Sequence, residues 1–319
     1  MKALRLHAAG DLRLHDEPAP EPGDGEVLVR VTAVGLCGSD RHWFEEGGIG
    51  DAVLTRPLVL GHEFVGMIER GPRAGERVAV DPAIPCGGCA PCKAGRSHLC
   101  LGVRFAGHGR TDGALRGALA WPEVLVHPLP DALDDATATL LEPLGVALHA
   151  VDLGHVSTAT RAGVFGCGPI GILLVQALLA SGATVVATDV LPHRLAVARA
   201  LGAERWEGGE VDVAFEVAGE DASLDDAIAA TCPGGRVVLV GIPSGDRTSF
   251  TASTARRKGL TLLLSRRMEP ADLARAIDLA GRGRLELAPL VTARHSLDDW
   301  AGAFDELVRH DGVKVVIEP

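Results

Sequence analysis

Four cysteines stand close together in a stretch of the chain that is rich in glycine and proline. Their spacing is C-x2-C-x2-C-x7-C, at Cys86, Cys89, Cys92 and Cys100. Such short gaps let a single loop wrap a tetrahedral metal ion with four thiolates. Because four sulfur ligands leave no open position for a substrate, the pattern predicts a structural zinc site. The alternative, an iron–sulfur cluster, has no redox partner in the surrounding sequence.

A glycine-rich hexapeptide follows a buried-looking strand and opens an apolar helix. It reads Gly166-Cys167-Gly168-Pro169-Ile170-Gly171, a G-x-G-x-x-G pattern. In such a pattern the first glycine permits a tight turn, the second lets the backbone approach a pyrophosphate, and the third lets the helix pack closely on the strand. The helix N-terminus adds a partial positive charge. The hexapeptide therefore predicts a dinucleotide site, and a glycine turn without a ligand is the alternative.

An acidic residue, Asp189, ends the next predicted strand. A carboxylate at this place accepts hydrogen bonds from both ribose hydroxyls of NAD and repels the 2′-phosphate of NADP. The alternative for Asp189 is a helix N-cap beside Pro192. Arg194 is able to pair with a 2′-phosphate, which keeps NADP open as a second choice. We also take Val240 and Arg266 as candidate cofactor contacts.

A second group of potential metal ligands is dispersed along the first half of the chain. It consists of Cys37, His62, Glu63 and Glu142. Together they offer sulfur, nitrogen and oxygen donors, the mixture that catalytic zinc sites use. Each residue also has an ordinary alternative, since a lone histidine often lies in the core or on the surface, and Glu142 before Pro143 can simply precede a helix. The spacing alone does not assemble these residues into one site.

The elements that must position these residues change in type along the chain. Up to about residue 150 the sequence favours short strands and turns, beginning with two strands around Gly10-Asp11. From Ala162 onward strands alternate with helices, which indicates a doubly wound parallel sheet. The predicted strands are 163–166, 184–189, 211–217, 235–241 and 260–264; the predicted helices are one ending at 181, then 192–201, 224–230 and 270–281. After residue 285 the strand-like texture returns.

We therefore expect two domains in an α/β protein, a size that 319 residues allow. Residues 1–150, completed by 286–319, form a β-rich domain that carries both groups of metal ligands. Residues 151–285 form a Rossmann domain that binds NAD.

Composition excludes several classes of function. A net charge of -11 argues against nucleic acid as a partner, and Arg256-Arg257-Lys258 looks like a solvated loop. The apolar runs are shorter than the ~20 residues of a membrane span, and no charged-then-apolar leader opens the chain, so we expect a cytoplasmic protein. In that compartment the seven cysteines are metal ligands or free thiols. The chain contains no tyrosine, which excludes the reductase classes with a tyrosine proton donor.

Several stretches together carry a resemblance to a known family. They are 35–43 (GLCGSDRHW), 61–66 (GHEFVG), 142–150 (EPLGVALHA), the four-cysteine segment, the glycine hexapeptide and the ending 289–319. With them the chain resembles the zinc-containing medium-chain dehydrogenases, and most of all their sorbitol and polyol branch. The resemblance spans the whole chain. It implies a GroES-like catalytic domain with a zinc lobe beside the Rossmann domain, and one catalytic and one structural zinc per subunit.

The resemblance also assigns roles to residues. Cys37 and His62, with either Glu63 or Glu142, hold the catalytic zinc. Ser39 and His42 match the relay that carries the substrate's proton to solvent, and histidine suits the outer end because it exchanges protons near neutral pH. A surface histidine is the alternative for His42. Asp40 is expected to hydrogen-bond a ligating imidazole and fix its tautomer.

The implied function is the transfer of a hydride from a secondary alcohol to NAD, which leaves a ketone. Polyols, sugars and amino-alcohols are the expected substrates, and threonine or glucose dehydrogenase activity is the nearest alternative. A non-catalytic NAD-binding protein on the same fold is an alternative of another class. The family also implies a homodimer or homotetramer.

The first testable prediction concerns the metal count. Wild-type protein purified without chelator should contain two zinc ions per chain, and Cys92→Ser should lose one of them together with much stability. A structural zinc contributes on the order of 10 kcal/mol to the folding of a small site. Elemental analysis and thermal unfolding check both results, and well-folded wild-type protein without zinc would contradict the assignment of both sites.

Overall fold

A computed structural model describes residues 1–243 and 247–319 and separates the chain into two compact units. The first unit is Met1–Glu142 with Leu273–Pro319, and the second is Pro143–Asp272. The sequence predicted the two domain boundaries after residues 150 and 285. In the structure the boundaries between the units fall after residues 142 and 272. Each change falls at the first turn of a helix, which a shift in composition does not mark.

The described residues contain the following strands: β1 (Lys2–Ala8), β2 (Asp11–Asp16), β3 (Glu26–Gly35), β4 (Gly48–Ile49), β5 (Ala52–Val53), β6 (Leu58–Val59), β7 (Glu63–Arg70), β8 (Arg77–Val80), β9 (Ala83–Ile84), β10 (Arg104–Phe105), β11 (Ala118–Pro122), β12 (Val126–Pro128), β13 (Arg161–Phe165), β14 (Thr184–Thr188), β15 (Glu204–Arg205), β16 (Val211–Glu216), β17 (Thr231–Leu239), β18 (Thr261–Leu264), β19 (Val291–Ser296) and β20 (Lys314–Glu318). The helices are α1 (Gly38–Glu46), α2 (Ala90–Lys93), α3 (Asp135–Ala138), α4 (Leu141–Gly154), α5 (Pro169–Ala180), α6 (Pro192–Ala200), α7 (Asp221–Ala230), α8 (Ala252–Lys258), α9 (Asp272–Gly281) and α10 (Trp300–Arg309).

Strand β3 organises the first unit. Its sequence, EVLVRVTAVG, is rich in valine, whose branched side chain packs well on a pleated surface. It pairs antiparallel with β7, β11 and β20 in a sheet of order β12-β8-β7-β3-β20-β19. Val27, Val29 and Val31 of β3 lie in an apolar core with Phe64 and Trp121. The last strand of the chain therefore lies directly beside the strand that leads to Cys37.

The second unit is built on a six-stranded parallel sheet. Its order is β15-β14-β13-β16-β17-β18, and every pair in it is parallel. Counted from β13, this is the order 3-2-1-4-5-6 of a doubly wound dinucleotide-binding sheet. The predicted α/β fold with a parallel sheet is confirmed.

The predicted elements of this unit agree with the structure except at some ends and in one loop. Strand β17 begins at Thr231, four residues before the predicted start at 235. The prediction of a solvated loop at Arg256-Arg257-Lys258 is wrong, because these residues form the last turn of α8, which ends at the left-handed Gly259. Three basic residues at a helix C-terminus interact favourably with the helix dipole, so their clustering has a local structural cause.

The end of the chain also differs from expectation. Between β19 and β20 the structure has the helix α10, in the part of the chain where the sequence analysis expected strand-like texture to return. This helix buries Ala303 and Phe304 on one side. The apolar residues of α10 follow the i, i+3, i+4, i+7, i+8 spacing of an amphipathic helix, so the sequence carried the signal for this helix: Trp300, Ala303, Phe304, Leu307 and Val308.

Among the described residues, no helix combines the length and the apolar character that a membrane span needs.

Candidate active site

Asp40 ties together the two segments that carry the predicted catalytic-metal ligands. Cys37 occupies the N-cap of α1, and its N–H donates to the Asp40 carboxylate at 3.0 Å. The other carboxylate oxygen accepts from the N–H of Gly61 at 3.1 Å, just before His62. The distance from that oxygen to Nδ1 of His62 is 3.8 Å, which is too long for a hydrogen bond. Asp40 therefore positions the ligands through their backbone, where we expected a direct bond to the imidazole.

The structure brings three of the four dispersed ligands into one group. The Sγ of Cys37, a ring nitrogen of His62 and a carboxylate oxygen of Glu63 all lie within 4.8 Å of one another. His62 and Glu63 are buried, and the ring of Phe105 lies 5.4 Å from that of His62. A thiolate, an imidazole and a carboxylate at this spacing form a donor set that fits a catalytic zinc ion with one position left for substrate.

Glu142 lies near this group but outside it. The first turn of α4 holds it in a buried position. Burial raises the pKa of Glu142 to about 8, and the positive charge of a protonated His62 acts in the opposite direction. Of the two glutamates that the sequence left open as ligands, Glu63 thus has the better geometry and Glu142 is a second carboxylate within electrostatic range.

The electrostatics of the group call for a cation. Burial first and the neighbouring Glu63 carboxylate second raise the pKa of the Cys37 thiol to about 12. Acidic groups removed from water cannot all ionise unless positive charge is placed among them. A divalent ion reverses this direction, since coordination by a metal deprotonates a thiol outright.

One source of positive charge is a lysine that sequence reasoning missed. Lys314, the first residue of β20, is 1% exposed and donates to Oε2 of Glu63 at 2.5 Å. It also donates to the carbonyl of Leu36 at 3.0 Å. Desolvation opposes its charged form, but the surrounding acidic groups outweigh this effect and hold the pKa of Lys314 above its ordinary value. No motif signals this lysine, because it is 251 residues away from Glu63 in the sequence.

The predicted proton relay starts at α1. Ser39 is partly buried and its side chain hydrogen-bonds the Cys37 sulfur. His42 is buried, and its Nδ1 lies 2.7 Å from Oε1 of Glu46, one turn further along the helix. The Glu46 side chain is 48% exposed. A buried imidazole is therefore linked to solvent through a carboxylate that the sequence analysis did not single out, although its i,i+4 spacing is a recognisable signal.

The four predicted structural ligands form a second group. Cys86, Cys89, Cys92 and Cys100 have sulfur atoms within 4.8 Å of one another. The sulfur of Cys89 is 3.4 Å from that of Cys92 and 3.9 Å from that of Cys100. Thiolates at about 2.3 Å from one tetrahedral zinc are separated by about 3.8 Å, so this geometry fits a closed four-sulfur site.

The glycine hexapeptide has the shape of a dinucleotide loop. Gly166 adopts a φ of 107°, which favours glycine, and joins β13 to α5. A Cβ on Gly171 would lie 1.9 Å from the carbonyl oxygen of Gly166, so the helix packs against the turn at a distance only glycine allows. A Cβ on Gly168 would meet only the Arg194 side chain, at 3.6 Å. Open space at the N-terminus of α5, where Pro169 and Ile170 begin the helix, suits a pyrophosphate.

Asp189 is held in place by backbone N–H groups. One carboxylate oxygen accepts from the N–H of Cys167 at 2.6 Å, and the other accepts from the N–H of Leu191 at 2.7 Å. An ionised carboxylate has about four lone-pair sites, so each oxygen retains capacity for a ribose hydroxyl. Asp189 therefore braces the glycine loop from the end of β14.

A cavity of about 130 Å³ opens at the carboxyl ends of β16, β17 and β18. Its lining includes Glu216, Gly241 and Ser265. The Ser265 hydroxyl is buried without a hydrogen-bond partner among the described residues, which suits a polar ligand. The predicted contacts Val240 and Arg266 adjoin this lining without belonging to it: the Val240 N–H bonds the Glu216 carbonyl, and Arg266 is exposed.

Comparisons with known proteins bear on this geometry. The family described as the alcohol dehydrogenase GroES-like domain matches residues 23–131, and the family described as zinc-binding dehydrogenase matches 169–282. The chain belongs to the zinc-binding dehydrogenases. It is an oxidoreductase, and the resemblance seen in the sequence is confirmed.

Relatives match over their whole length. A probable D-xylulose reductase A of Arthroderma otae is 36% identical, with 98% of this chain and 95% of the relative covered. The sorbitol dehydrogenase of Bacillus subtilis is 31% identical over 100% and 97%.

Two solved structures share the fold. A short chain alcohol dehydrogenase of E. coli CFT073, in complex with NADH, has a TM-score of 0.91 at 27% identity and covers 100% of this chain and 99% of its own. A putative zinc-binding dehydrogenase of Sinorhizobium meliloti 1021, bound to NADP, has a TM-score of 0.90 at 30% identity, with 100% and 99% covered. Structural neighbours of this chain therefore bind either nicotinamide dinucleotide.

The close approach of Gly35 to Glu63 yields a prediction. A Cβ on Gly35 would lie 2.6 Å from Oε2 of Glu63 and 3.1 Å from the Thr139 hydroxyl. Gly35→Ala should therefore displace the Glu63 carboxylate, cost about 1–3 kcal/mol of stability as overpacking does, and lower zinc content and turnover. Gly38→Ala is the matched control, because nothing lies within 4 Å of its Cβ. Zinc analysis and urea unfolding of both variants decide the matter; full zinc content in Gly35→Ala would show that Glu63 is not a ligand.

Proposed function

We propose that this chain is a zinc-dependent, NAD-linked dehydrogenase that oxidises a secondary alcohol to a ketone. The observation that carries the proposal is the group of a half-buried Cys37 with the buried His62 and Glu63. A purely structural protein gains nothing from a thiol, an imidazole and a carboxylate brought together with an incomplete ligand shell. Relatives named for D-xylulose and sorbitol support a polyol or sugar substrate, and an amino-alcohol is the remaining member of the expected class.

Each group has a distinct task in this reaction. Zinc held by Cys37, His62 and Glu63 would supply a Lewis acid for the substrate's hydroxyl oxygen, and bound NAD would supply the hydride acceptor. Cys37, His62 and Glu63 bind the ion, and Asp40 fixes the segments from which they project. Glu142 supplies a second carboxylate whose protonation depends on the charge beside it.

The remaining task is to move the hydroxyl proton out of a buried site. We assign it to Ser39, His42 and Glu46, in that order. The Ser39 hydroxyl lies beside Cys37. His42 is buried and bonded to a half-exposed carboxylate, so a proton that reaches the imidazole has a short path to water.

NAD is the proposed cofactor because Asp189 carries a negative charge where NADP has its 2′-phosphate. Arg194, whose guanidinium lies near Gly168, is the feature that favours NADP. The carboxylate outweighs it in our proposal, since both oxygens of Asp189 are fixed in the loop and cannot turn away.

In this proposal the protein binds two zinc ions per subunit and forms a homodimer or homotetramer in the cytoplasm. The edge strand β18 supports an oligomer, because its sequence, TLLL, has no charge and Leu264 is 80% exposed. All seven cysteines, which lie among the described residues, are outside disulfides. Free thiols of this number suit a reducing compartment.

The experiment that tests the function measures NAD reduction on a panel of alcohols. The panel contains xylitol, sorbitol, 2,3-butanediol, L-threonine and glucose, so that the threonine and glucose alternatives are included. Turnover of a polyol, lost in Cys37→Ser, is the expected result. Zinc-loaded protein that binds NAD and turns over no member of the panel would favour the non-catalytic alternative.

The cofactor choice gives a further prediction. Wild-type kcat/KM should be higher with NAD than with NADP. Asp189→Ser should lower the ratio of kcat/KM with NAD to kcat/KM with NADP, because it removes the repulsion between two negative charges. Arg194→Ala is the matched variant, and it should raise this ratio in favour of NAD, because it removes the positive charge that favours NADP. Equal kcat/KM for the two cofactors in the wild-type protein would contradict the role given to Asp189.

The proton relay predicts a change in pH dependence. His42→Ala should keep its zinc and bind NAD normally, but lose about a hundredfold in kcat near neutral pH because proton removal loses its general base. Activity should recover as pH rises and hydroxide takes the proton. Glu45→Gln, a partly exposed neighbour on α1, serves as the control for surface charge. A His42→Ala profile of kcat against pH that matches wild type at full zinc content would make His42 a bystander.

A further inference from the structure

Lys314 is a buried charge that the proposed reaction does not use. It is 1% exposed, and its side chain makes two hydrogen bonds, to Oε2 of Glu63 and to the carbonyl of Leu36. Burying an ammonium group is costly unless it is paired and hydrogen-bonded. A methionine or leucine would fill the same space in a β-strand without that cost, so the charge itself needs an explanation.

The two bonds of Lys314 join both segments that carry ligands. Leu36 precedes Cys37, and Glu63 follows His62. The backbone of β20 also bonds to the segment before Cys37, because the Val315 carbonyl accepts from the Leu36 N–H at 2.9 Å. Lys314 thus engages one oxygen of Glu63, and Glu63 contributes one carboxylate oxygen to the group formed with Cys37 and His62.

We propose that Lys314 is a positioning residue that holds Glu63 as a one-oxygen ligand and so keeps a coordination position open for the substrate. The inference rests on the proposed function. The positive charge of Lys314 also opposes the binding of a cation nearby. The site therefore exchanges its metal more readily than the three ligands alone would allow.

This role predicts a result that mere structural damage does not produce. In Lys314→Met both oxygens of Glu63 are free to bind the ion and a repelling charge is gone. Both changes strengthen metal binding, so metal release to a chelator should slow by about tenfold or more. At the same time kcat should fall, and cobalt in this site should give the weaker visible absorption of a five-coordinate ion. A destabilised protein would release its metal faster.

Three controls make the test specific. The release phase that disappears in Cys37→Ser identifies the site and separates it from the four-cysteine zinc. Lys314→Arg keeps the charge and should restore a release rate and cobalt spectrum close to wild type. Ile317→Val, on the other face of β20 in the apolar core, should lower the melting temperature without changing either readout.

Each outcome decides the question. Slower release and a changed spectrum in Lys314→Met, with rescue by arginine, support the inference, whereas an unchanged spectrum or faster release overturns it. Should Lys314→Met not fold, the double variant Lys314→Met/Glu63→Gln replaces it, since it buries no unpaired charge; it should release metal more slowly than Glu63→Gln alone, and equal or faster release overturns the inference. Wild-type protein without a Cys37-dependent phase overturns the proposed function as well.

Discussion

The first unit depends on the burial of acidic groups that cannot ionise by themselves. Cys37, Asp40, Glu63 and Glu142 stand around one histidine at the end of an apolar sheet. Asp40, Glu63 and Glu142 are buried and Cys37 is half-buried, so each negative charge must be matched by hydrogen bonds or by a cation. Asp40 takes the first route, with two backbone N–H groups. The thiol and the glutamates need the second; Lys314 supplies one positive charge beside Glu63, and a divalent ion at the proposed site would supply the rest.

This requirement explains why the last strand of the chain, β20, pairs with β3, a strand near the beginning of the chain. Strand β3 ends two residues before Cys37, β7 begins at Glu63, and β20 begins at Lys314. The three strands are neighbours in one sheet, with β3 between the other two. Side chains fixed on adjacent strands keep their separation better than side chains on loops. Joining the ends of the chain in one sheet therefore makes the charge balance of the site part of the fold.

The sequence predicted what local patterns encode. The four-cysteine loop, the glycine hexapeptide and the alternation of strands and helices depend on short spacings, and the fold class they implied is confirmed. The sequence could not reveal the importance of Lys314, Gly35 and Ser265, because it arises from contacts between residues far apart in the chain. A lysine near the end of a chain is also ordinarily a surface residue. The helix α10 was within reach, because its apolar residues recur at helical spacing; it was missed because the segments on both sides of it form strands. The roles of His42 and Glu142 stay predictions. The structure places Glu142 within electrostatic range of the candidate metal ligands and His42 on α1, the helix that Cys37 caps.

The two groups of metal ligands differ in how they are assembled, and this difference bears on function. The four-cysteine group comes from fifteen consecutive residues, 86–100, so metal binding organises its loop and closes the ligand shell. The group at Cys37 is assembled by the fold from distant segments, and its geometry is set before any ion arrives. In the second arrangement the sheet can fix the donors without closing the ligand shell, because β3, β7 and β20 hold the segments that carry them. The candidate site at Cys37 is therefore built in this chain from segments far apart in the sequence, and Lys314 is the contact through which the last strand acts on it.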